Sequence, residues 1–327
     1  MEYKIGSFNV RNLNATGSQK VDDRTIIRSF ETIANIIRKE ELAVVALQEV
    51  LSRTAVENIK NILNRLGGKW KEEWDQPPPK KAGAKADPRG EGYAYLWDTT
   101  KLDLVPVKKN DEMRIFMPNI WHQYRRNGQP LIREPYYARF APVGKIGGCF
   151  CEIRLINTHI VYGNTNTDGI EMREKEFLKV VKNVYQNIAN KRYGNNLPAY
   201  VIVLGDYNLS LEQLNTLEKK EDTIIQIGNS PSKRKEEKVI TRQGEKTTVS
   251  HKKQDNGTYK SDFVSNYDHF SFIERYEDIM NITIERIDPQ KHCKDLVEYW
   301  ETVSDHVPIK MTIDLNKRNA NKLHWDK

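Results

Sequence analysis

The stretch that decides the fold is Val203-Leu204-Gly205-Asp206-Tyr207-Asn208, an apolar run that ends abruptly in polar residues. A strand that ends in this way places its polar groups at a rigid, accessible sheet edge. A carboxylate in that position is more often a turn former or a helix cap than a ligand. The stretch therefore indicates a functional site only if other segments of the chain repeat the pattern.

Four further segments do repeat it, each an apolar strand followed by a group that can bind a metal ion or a phosphate. They are Phe8-Asn9, Leu47-Gln48-Glu49, Ile156-Asn157-Thr158-His159 and Ser304-Asp305-His306. Together they supply carboxylates, amides and two imidazoles. Phosphodiester hydrolysis needs this mixture, because charge on the phosphoryl oxygens must be neutralised, water activated and the leaving oxygen protonated or stabilised.

Each residue type has a role in that chemistry. Mg²⁺ prefers carboxylate oxygens, which Glu49 and Asp305 supply as candidate metal ligands. The amides of Asn9 and Asn208 can orient ligands or donate to phosphate without adding negative charge.

Histidine is the side chain that transfers protons near neutral pH, and a carboxylate on its far nitrogen fixes the tautomer. His159 and His306 are the candidate proton shuttles, and Glu91 and Asp268 are the candidate supporting carboxylates.

Other classes of site are not favoured. The cysteines lack C-x₂-C spacing, and the chain contains no H-E-x-x-H, no P-loop and no G-x-S-x-G elbow.

Cys149 and Cys151 stand two apart on one predicted strand, where a mutual disulfide is not expected. No apolar run reaches the roughly 18 residues of a membrane-spanning helix, and the N-terminus does not resemble a signal peptide. We therefore expect no membrane partner and a reducing, cytoplasmic location.

The hydrophobic pattern predicts strands and helices in alternation in the first third of the chain. Predicted strands are 4–10, 42–47, 93–97, 136–140, 150–157, 201–204, 270–273 and 307–313. Predicted helices cover Ile26 to Ile37, capped by Asp22 and Asp23, then 55–66 and 167–189. The polar segment 228–260 is expected to be either a solvated loop or a nucleic-acid contact surface. One catalytic domain, residues 1–315, and a basic C-terminal tail, residues 316–327, are expected.

The motifs in this order resemble those of the endonuclease/exonuclease/phosphatase superfamily, and within it they are most similar to deoxyribonuclease I. The matching stretches are SFNVRNL (7–13), ALQEV (46–50), GEGYAYLW (90–97), IREPYYARF (132–140), INTHI (156–160), VLGDYNLS (203–210), NYDHF (266–270) and SDHVPI (304–309). The resemblance implies a four-layer α/β sandwich, in which two packed mixed β-sheets are flanked by helices. It also implies one active site at the sheet edges and Mg²⁺ as cofactor, for which Mn²⁺ is expected to substitute.

The same resemblance implies roles for individual residues. Glu49 would be the principal metal ligand, with Asn9 beside it. His159 would pair with Glu91, and His306 with Asp268, on opposite sides of the scissile phosphate. Which pair activates water and which assists the leaving 3′ oxygen stays open.

Asp206, Asn208 and Asp305 would complete the metal and phosphate contacts. Arg133 would hold a phosphate through a bidentate fork that lysine cannot copy.

The chain departs from deoxyribonuclease I at two groove-binding positions. Leu51 stands where that family has an arginine, and Arg89 replaces a tyrosine that stacks on a sugar. Arg89 and the nearby lysines at positions 80, 81 and 85 are expected either to attract phosphate or to form a solvated loop. If they bind DNA, replacing all four by alanine lowers the affinity and flattens its salt dependence.

Three functions compete on these grounds. The first is an endonuclease that hydrolyses double-stranded DNA with little sequence specificity, which the formal charge of +7 favours. The second is a phosphomonoesterase or a phospholipid phosphodiesterase of the same superfamily. The third is a catalytically silent nucleic-acid-binding module, which is disfavoured because every expected site position is filled.

Overall fold

The structure is a computed structural model that describes residues 1–21, 23–75, 90–105, 133–143, 150–163, 167–191, 197–228 and 234–320. The predicted contact residues Lys80, Lys81, Lys85 and Arg89 lie outside these ranges. Asp22, Cys149 and residues 321–327 of the predicted tail also lie outside them.

The strands of the described ranges are numbered in chain order. They are β1 (Glu2–Leu13), β2 (Ser18–Val21), β3 (Arg24–Ile27), β4 (Val44–Val50), β5 (Trp70–Asp75), β6 (Gly92–Asp98), β7 (Leu102–Leu104), β8 (Tyr136–Pro142), β9 (Glu152–His159), β10 (Ala199–Asp206), β11 (Ile224–Ile227), β12 (Lys235–Arg242), β13 (Val249–Lys253), β14 (Tyr259–Phe263), β15 (Asp268–Ile273), β16 (Thr283–Arg286) and β17 (Ile309–Asp314).

The helices are numbered in the same way. They are α1 (Phe30–Lys39), α2 (Arg53–Arg65), α3 (Thr167–Leu178), α4 (Tyr185–Asn190), α5 (Leu211–Glu221), α6 (Tyr276–Met280), α7 (Leu296–Thr302) and α8 (Lys317–Ala320). A π-helical segment, Lys179–Val184, joins α3 to α4, and Pro289–Lys291 form a 3₁₀ turn. The predicted helix over 167–189 therefore forms, with one wider turn inside it. Within the described residues, no helix is long and apolar enough to cross a membrane.

Two mixed sheets form the centre of the molecule. One has the strand order β16-β17-β1-β4-β6-β5, and the other has the order β11-β12-β15-β10-β9-β8-β7. The pairs β1–β4 and β9–β10 are parallel, and the neighbouring pairs are antiparallel. This arrangement confirms the predicted pair of mixed sheets flanked by helices.

Alternation along the strands explains the layers. In β6, Tyr93, Tyr95 and Trp97 belong to the core shared with the second sheet, while Ala94 and Leu96 pack with the helices α1 and α2. Successive side chains of a strand point to opposite faces, so a strand covered on both faces is apolar throughout. The hydroxyl of Tyr95 donates to the backbone oxygen of Tyr136 at 2.8 Å and so links the two sheets.

The predicted helix from Ile26 to Ile37 is wrong in its first part. Residues of β2 and β3 form a hairpin, and the helix begins at Phe30, where the hydroxyl of Ser29 accepts a hydrogen bond from the Thr32 backbone. The isoleucines at positions 26 and 27 fit a helical period, but they are also β-branched. They are extended because β3 pairs with β2.

The prediction of a loop over 228–260 is also wrong, because this segment contains β12 and β13. Val239 and Ile240 of β12 are buried and pair with β15. The many charged residues around this short apolar pair concealed the strand. At the other end of the chain, Lys317–Ala320, the first residues of the predicted tail, form a helical turn in which Ala320 is buried. The division at residue 315 stays a prediction.

Candidate active site

Strand register brings three of the predicted residues side by side. Asp206 at the end of β10 lies opposite His159 of the parallel strand β9 and opposite Asp268 of the antiparallel strand β15. Gly205 permits this approach, since a β-carbon there would lie 1.8 Å from the Thr158 carbonyl oxygen. Two carboxylates directly opposite one another repel. Such a pairing therefore indicates a site selected for chemistry rather than for stability.

Asn9 connects the two sheets at this edge. Its side-chain amide donates to Glu49 Oε1 at 2.9 Å and to Asp206 Oδ2 at 3.0 Å, while its oxygen accepts from the Arg11 backbone at 3.0 Å. Glu49 has a φ of +58°, in the left-handed region, where the β4 ladder is interrupted. Its Oε2 accepts from the Asn12 backbone at 3.1 Å. Glu49 is held in a conformation that costs roughly 1–2 kcal/mol, as is common at functional sites.

His306 forms the predicted pair with Asp268. Its Nδ1 lies 2.8 Å from Asp268 Oδ2, and its Nε2 faces Asp206 Oδ2 at 3.6 Å. Burial acts to lower the pKa of His306, but the two carboxylates outweigh it and raise that pKa well above its ordinary value. The hydroxyl of Ser304 fixes the segment by donating to the Asn9 carbonyl and accepting from the His306 backbone. The two carboxylates therefore favour the protonated form of His306.

His159 has a different environment. Its Nδ1 lies 3.4 Å from Glu91 Oε2, but Arg133 bridges the two, with its guanidinium 2.5 Å from His159 Nδ1 and 2.5 Å from Glu91 Oε2. A guanidinium can only donate, so Nδ1 of His159 is the acceptor and the ring is neutral. Burial, together with Arg133, lowers the pKa of His159 to about 4. The environments of the two imidazoles thus shift their pKa values in opposite directions.

The remaining predicted residues occupy the same edge in two ways. Asn208 stands two residues after Asp206, donates its backbone N–H to Asp206 Oδ1 at 2.8 Å and donates its side-chain amide to the Ile160 carbonyl at 2.7 Å. Asp305 instead forms an ion pair with Arg11, whose Nε lies 3.2 Å from Asp305 Oδ2. The charge of Asp305 still acts on Glu49, whose pKa it helps to raise, and the role of Asp305 as a metal ligand stays a prediction.

Arg11 is a site residue that the sequence reasoning missed. Its guanidinium carbon lies 4.3 Å from the centroid of the Trp300 ring, and its ion pair with Asp305 stands next to His306. Arg11 has a φ of +46° where the register of β1 shifts, so strand alternation from Asn9 gave no signal for its position.

The donor set fits a hard divalent cation. Oxygens of Glu49 and Glu91 and a nitrogen of His159 lie within 4.8 Å of one another, and so do ligand atoms of Asp206, Asp268 and His306. Burial raises the pKa of Glu49 and of Asp206. Buried carboxylates that lack a cation are costly, and a bound metal ion would remove that cost.

No protein-family model matches this chain, and no curated protein matches it in sequence. Solved structures do share its fold. An endonuclease/exonuclease/phosphatase family protein from Bacteroides thetaiotaomicron has a TM-score of 0.52 at 15% identity, covering 96% of this chain and 99% of that chain. A mannosyl-6-phosphatase from the same organism has a TM-score of 0.51 at 15% identity, covering 96% and 100%.

A third structure is ANGEL2, a 2′,3′-cyclic phosphatase solved in complex with adenosine-2′,3′-vanadate. It has a TM-score of 0.51 at 13% identity, and the match covers 96% of each chain. At these identities the likeness concerns the fold. Two packed mixed sheets with flanking helices, matched over nearly the whole chain, show that this protein has the deoxyribonuclease I-like fold of the endonuclease/exonuclease/phosphatase superfamily, as its motifs predicted.

Proposed function

We propose that this protein is a divalent-metal-dependent phosphodiesterase, and specifically an endonuclease that hydrolyses DNA with little sequence specificity. One observation carries the proposal. Nε2 of His159 and Nε2 of His306 face the same oxygen, Oδ2 of Asp206, at 3.7 Å and 3.6 Å. Two imidazoles on either side of one buried carboxylate can exchange protons with opposite sides of a single phosphate group.

The unequal environments favour one division of the proton transfers. His306, whose protonated form Asp268 favours, would give the proton on Nε2 to the leaving 3′ oxygen. His159 is the neutral ring. Its Nε2 can act as a base in the tautomer that carries its hydrogen on Nδ1 and donates it to Glu91. That change requires Arg133 to leave Nδ1, and a substrate phosphate is the group that competes best for a guanidinium fork.

A divalent cation held by the oxygens of Glu49 and Asp206 would neutralise charge on the phosphoryl oxygens. Asn9 keeps these two carboxylates at a fixed separation. Two hydrogen bonds, one from the Asn208 backbone N–H to Asp206 Oδ1 and one from its side-chain amide to the Ile160 carbonyl, fix the Asn208 side chain before substrate binds. Because these groups are ordered before substrate arrives, little reorganisation is needed during the reaction.

Charge supports DNA as the substrate. The chain has a formal charge of +7, and Arg11 and Arg133 both lie at the catalytic edge. A positive net charge attracts a polyanion, and the binding of that polyanion is expected to weaken as the salt concentration rises.

A substrate panel tests the proposal. Purified protein is incubated with supercoiled plasmid, p-nitrophenyl phosphate and phosphatidylcholine vesicles, each with Mg²⁺, with Mn²⁺ and with chelator. We expect chelator-sensitive nicking of the plasmid and little release from the other two. Release of phosphate from the small ester or of head groups from the vesicles, without nicking, would replace DNA by that substrate. DNA binding without any hydrolysis would identify a silent binding module.

A further inference from the structure

Two tyrosines beside the active site have no part in the proposed proton transfers. The rings of Tyr162 and Tyr267 have centroids 6.3 Å apart and an interplanar angle of 50°. Tyr162 is 41% exposed, more than any other aromatic side chain in the described residues. Within that part of the chain neither hydroxyl group forms a hydrogen bond, so the pair is not fixed by its polar ends.

The loops that carry these tyrosines are tied to the catalytic turn. The backbone N–H of Tyr207 donates to the Tyr267 carbonyl at 2.8 Å. The side chain of Asn208 donates to the carbonyl of Ile160, two residues before Tyr162, at 2.7 Å. Tyr267 also directly precedes Asp268, the partner of His306. The two loops are therefore anchored to the turn that carries Asp206 and Asn208.

Arg173 supports both the ring and the backbone of Tyr162. The guanidinium carbon of Arg173 lies 4.7 Å from its ring centroid, and Nη1 of Arg173 donates to the Tyr162 carbonyl at 2.8 Å. Arg173 itself is 4% exposed. A cation over one face of the ring fixes its position. Within the described residues, the other aromatic ring close to Tyr162 is that of Tyr267.

The spacing of the rings fits an inserted planar group. A base between two aromatic rings makes one contact of about 3.5 Å with each ring, which requires centroids about 7 Å apart. The observed separation of 6.3 Å is slightly smaller, and the rings are tilted. A rotation of the Tyr267 ring towards parallel with the supported Tyr162 ring would open the gap.

We propose that Tyr162 and Tyr267 clamp a nucleobase next to the scissile phosphate and thereby select nucleic acid over small phosphoesters. The inference rests on the proposed phosphodiesterase function and names the substrate feature that the site recognises. Every base has an aromatic face, so a stacking clamp accepts all sequences, in keeping with low specificity. Stacking of one base on an aromatic side chain contributes about 5- to 150-fold in binding.

The test compares Tyr162→Ala and Tyr267→Ala with the Tyr162→Phe and Tyr267→Phe variants. Val264→Ala is the control, because Val264 is an exposed apolar residue of the adjoining cleft that has no ring. Cleavage of a labelled oligonucleotide is measured beside that of a matched strand with abasic positions flanking the cleaved bond. We expect the alanine variants to raise KM 5- to 150-fold with kcat nearly unchanged. Phenylalanine variants and the control should resemble the wild type.

The abasic strand gives a second readout that a structural role would not move. It should be cleaved less efficiently than the normal strand by the wild type, and the alanine variants should no longer distinguish the two strands. Equal cleavage of both strands by the wild type, or alanine variants that still distinguish them, would refute the clamp while leaving the nuclease function intact. Hydrolysis of p-nitrophenyl phosphate without cleavage of any oligonucleotide would refute the DNA assignment and the clamp together.

Discussion

Replacement of Asp268 by asparagine isolates the charge that supports His306. The variant keeps an oxygen that can accept from Nδ1 at the observed 2.8 Å, so the hydrogen bond survives and the charge is lost. A unit charge at that distance attracts the imidazolium by about 6 kcal/mol at an effective dielectric constant of about 20. General acid–base catalysis contributes about 10²- to 10⁴-fold, or roughly 3–5 kcal/mol. The lost attraction is therefore large enough to remove most of the contribution that general acid–base catalysis makes to the rate.

We expect Asp268→Asn to lower kcat for plasmid nicking by 10²- to 10⁴-fold with little change in KM. The pH dependence should change as well. Asp268 raises the pKa of His306, so the wild type should keep its acid protonated to a higher pH than an unsupported histidine would. Without that charge the pKa falls, and the loss of activity on raising the pH should begin at a lower pH.

The measurement is the rate of supercoiled plasmid nicking from pH 5 to pH 10 at saturating Mg²⁺. Asp262→Asn is the matched control, because that carboxylate is 59% exposed on the hairpin of β13 and β14 and pairs with Lys260. The control should remain within twofold of the wild type. Asp268→Asn with kcat within threefold of the wild type and an unshifted pH profile would refute the assigned role of His306.

Two further substitutions test the metal site and the core. Burial and the charges of neighbouring carboxylates raise the pKa of Glu49, so its ionised form destabilises the metal-free protein as the pH rises. Glu49→Gln should therefore raise the thermal midpoint in chelator at pH 8. It should also abolish the stabilisation that Mg²⁺ gives the wild type, which is about 3 kcal/mol of unfolding free energy at a metal concentration a hundredfold above Kd. A wild-type midpoint indifferent to Mg²⁺ would contradict this. Glu152, which is fully buried, accepts from Nε of Arg139 and Nε of Arg154 at 3.1 Å each. Glu152→Gln should cost about 3–5 kcal/mol of unfolding free energy in urea, because two buried cations lose their counter-charge, and a loss below about 1 kcal/mol would show that they do not need it.

The fold was predictable because the strands are buried on both faces and end in polar residues. The runs around Glu49, His159 and Asp206 carry that signal within a few residues each. The β2–β3 hairpin was not predictable in the same way, since Ile26 and Ile27 satisfy a helical period as well as a strand. Only the partner strand distinguishes the two.

The residues gathered at the site were predictable, but some of their contacts were not. The His306–Asp268 pair was expected and is present. The guanidinium of Arg133 between Glu91 and His159, and the ion pair of Arg11 with Asp305, depend on how distant segments meet. A sequence motif names a residue and its type. It does not predict with which of several nearby carboxylates a cationic side chain will form an ion pair.

The central claim is that His159 and His306 act on one phosphate group. It is tested most directly by a double-mutant cycle on Mg²⁺-dependent plasmid nicking, with His159→Ala, His306→Ala and the combined variant. Residues that act as a unit are strongly non-additive. We therefore predict that each single substitution lowers kcat by at least a hundredfold and that the double variant is little slower than the slower single variant. Nicking that survives chelator, or a single variant with wild-type kcat, would contradict the claim.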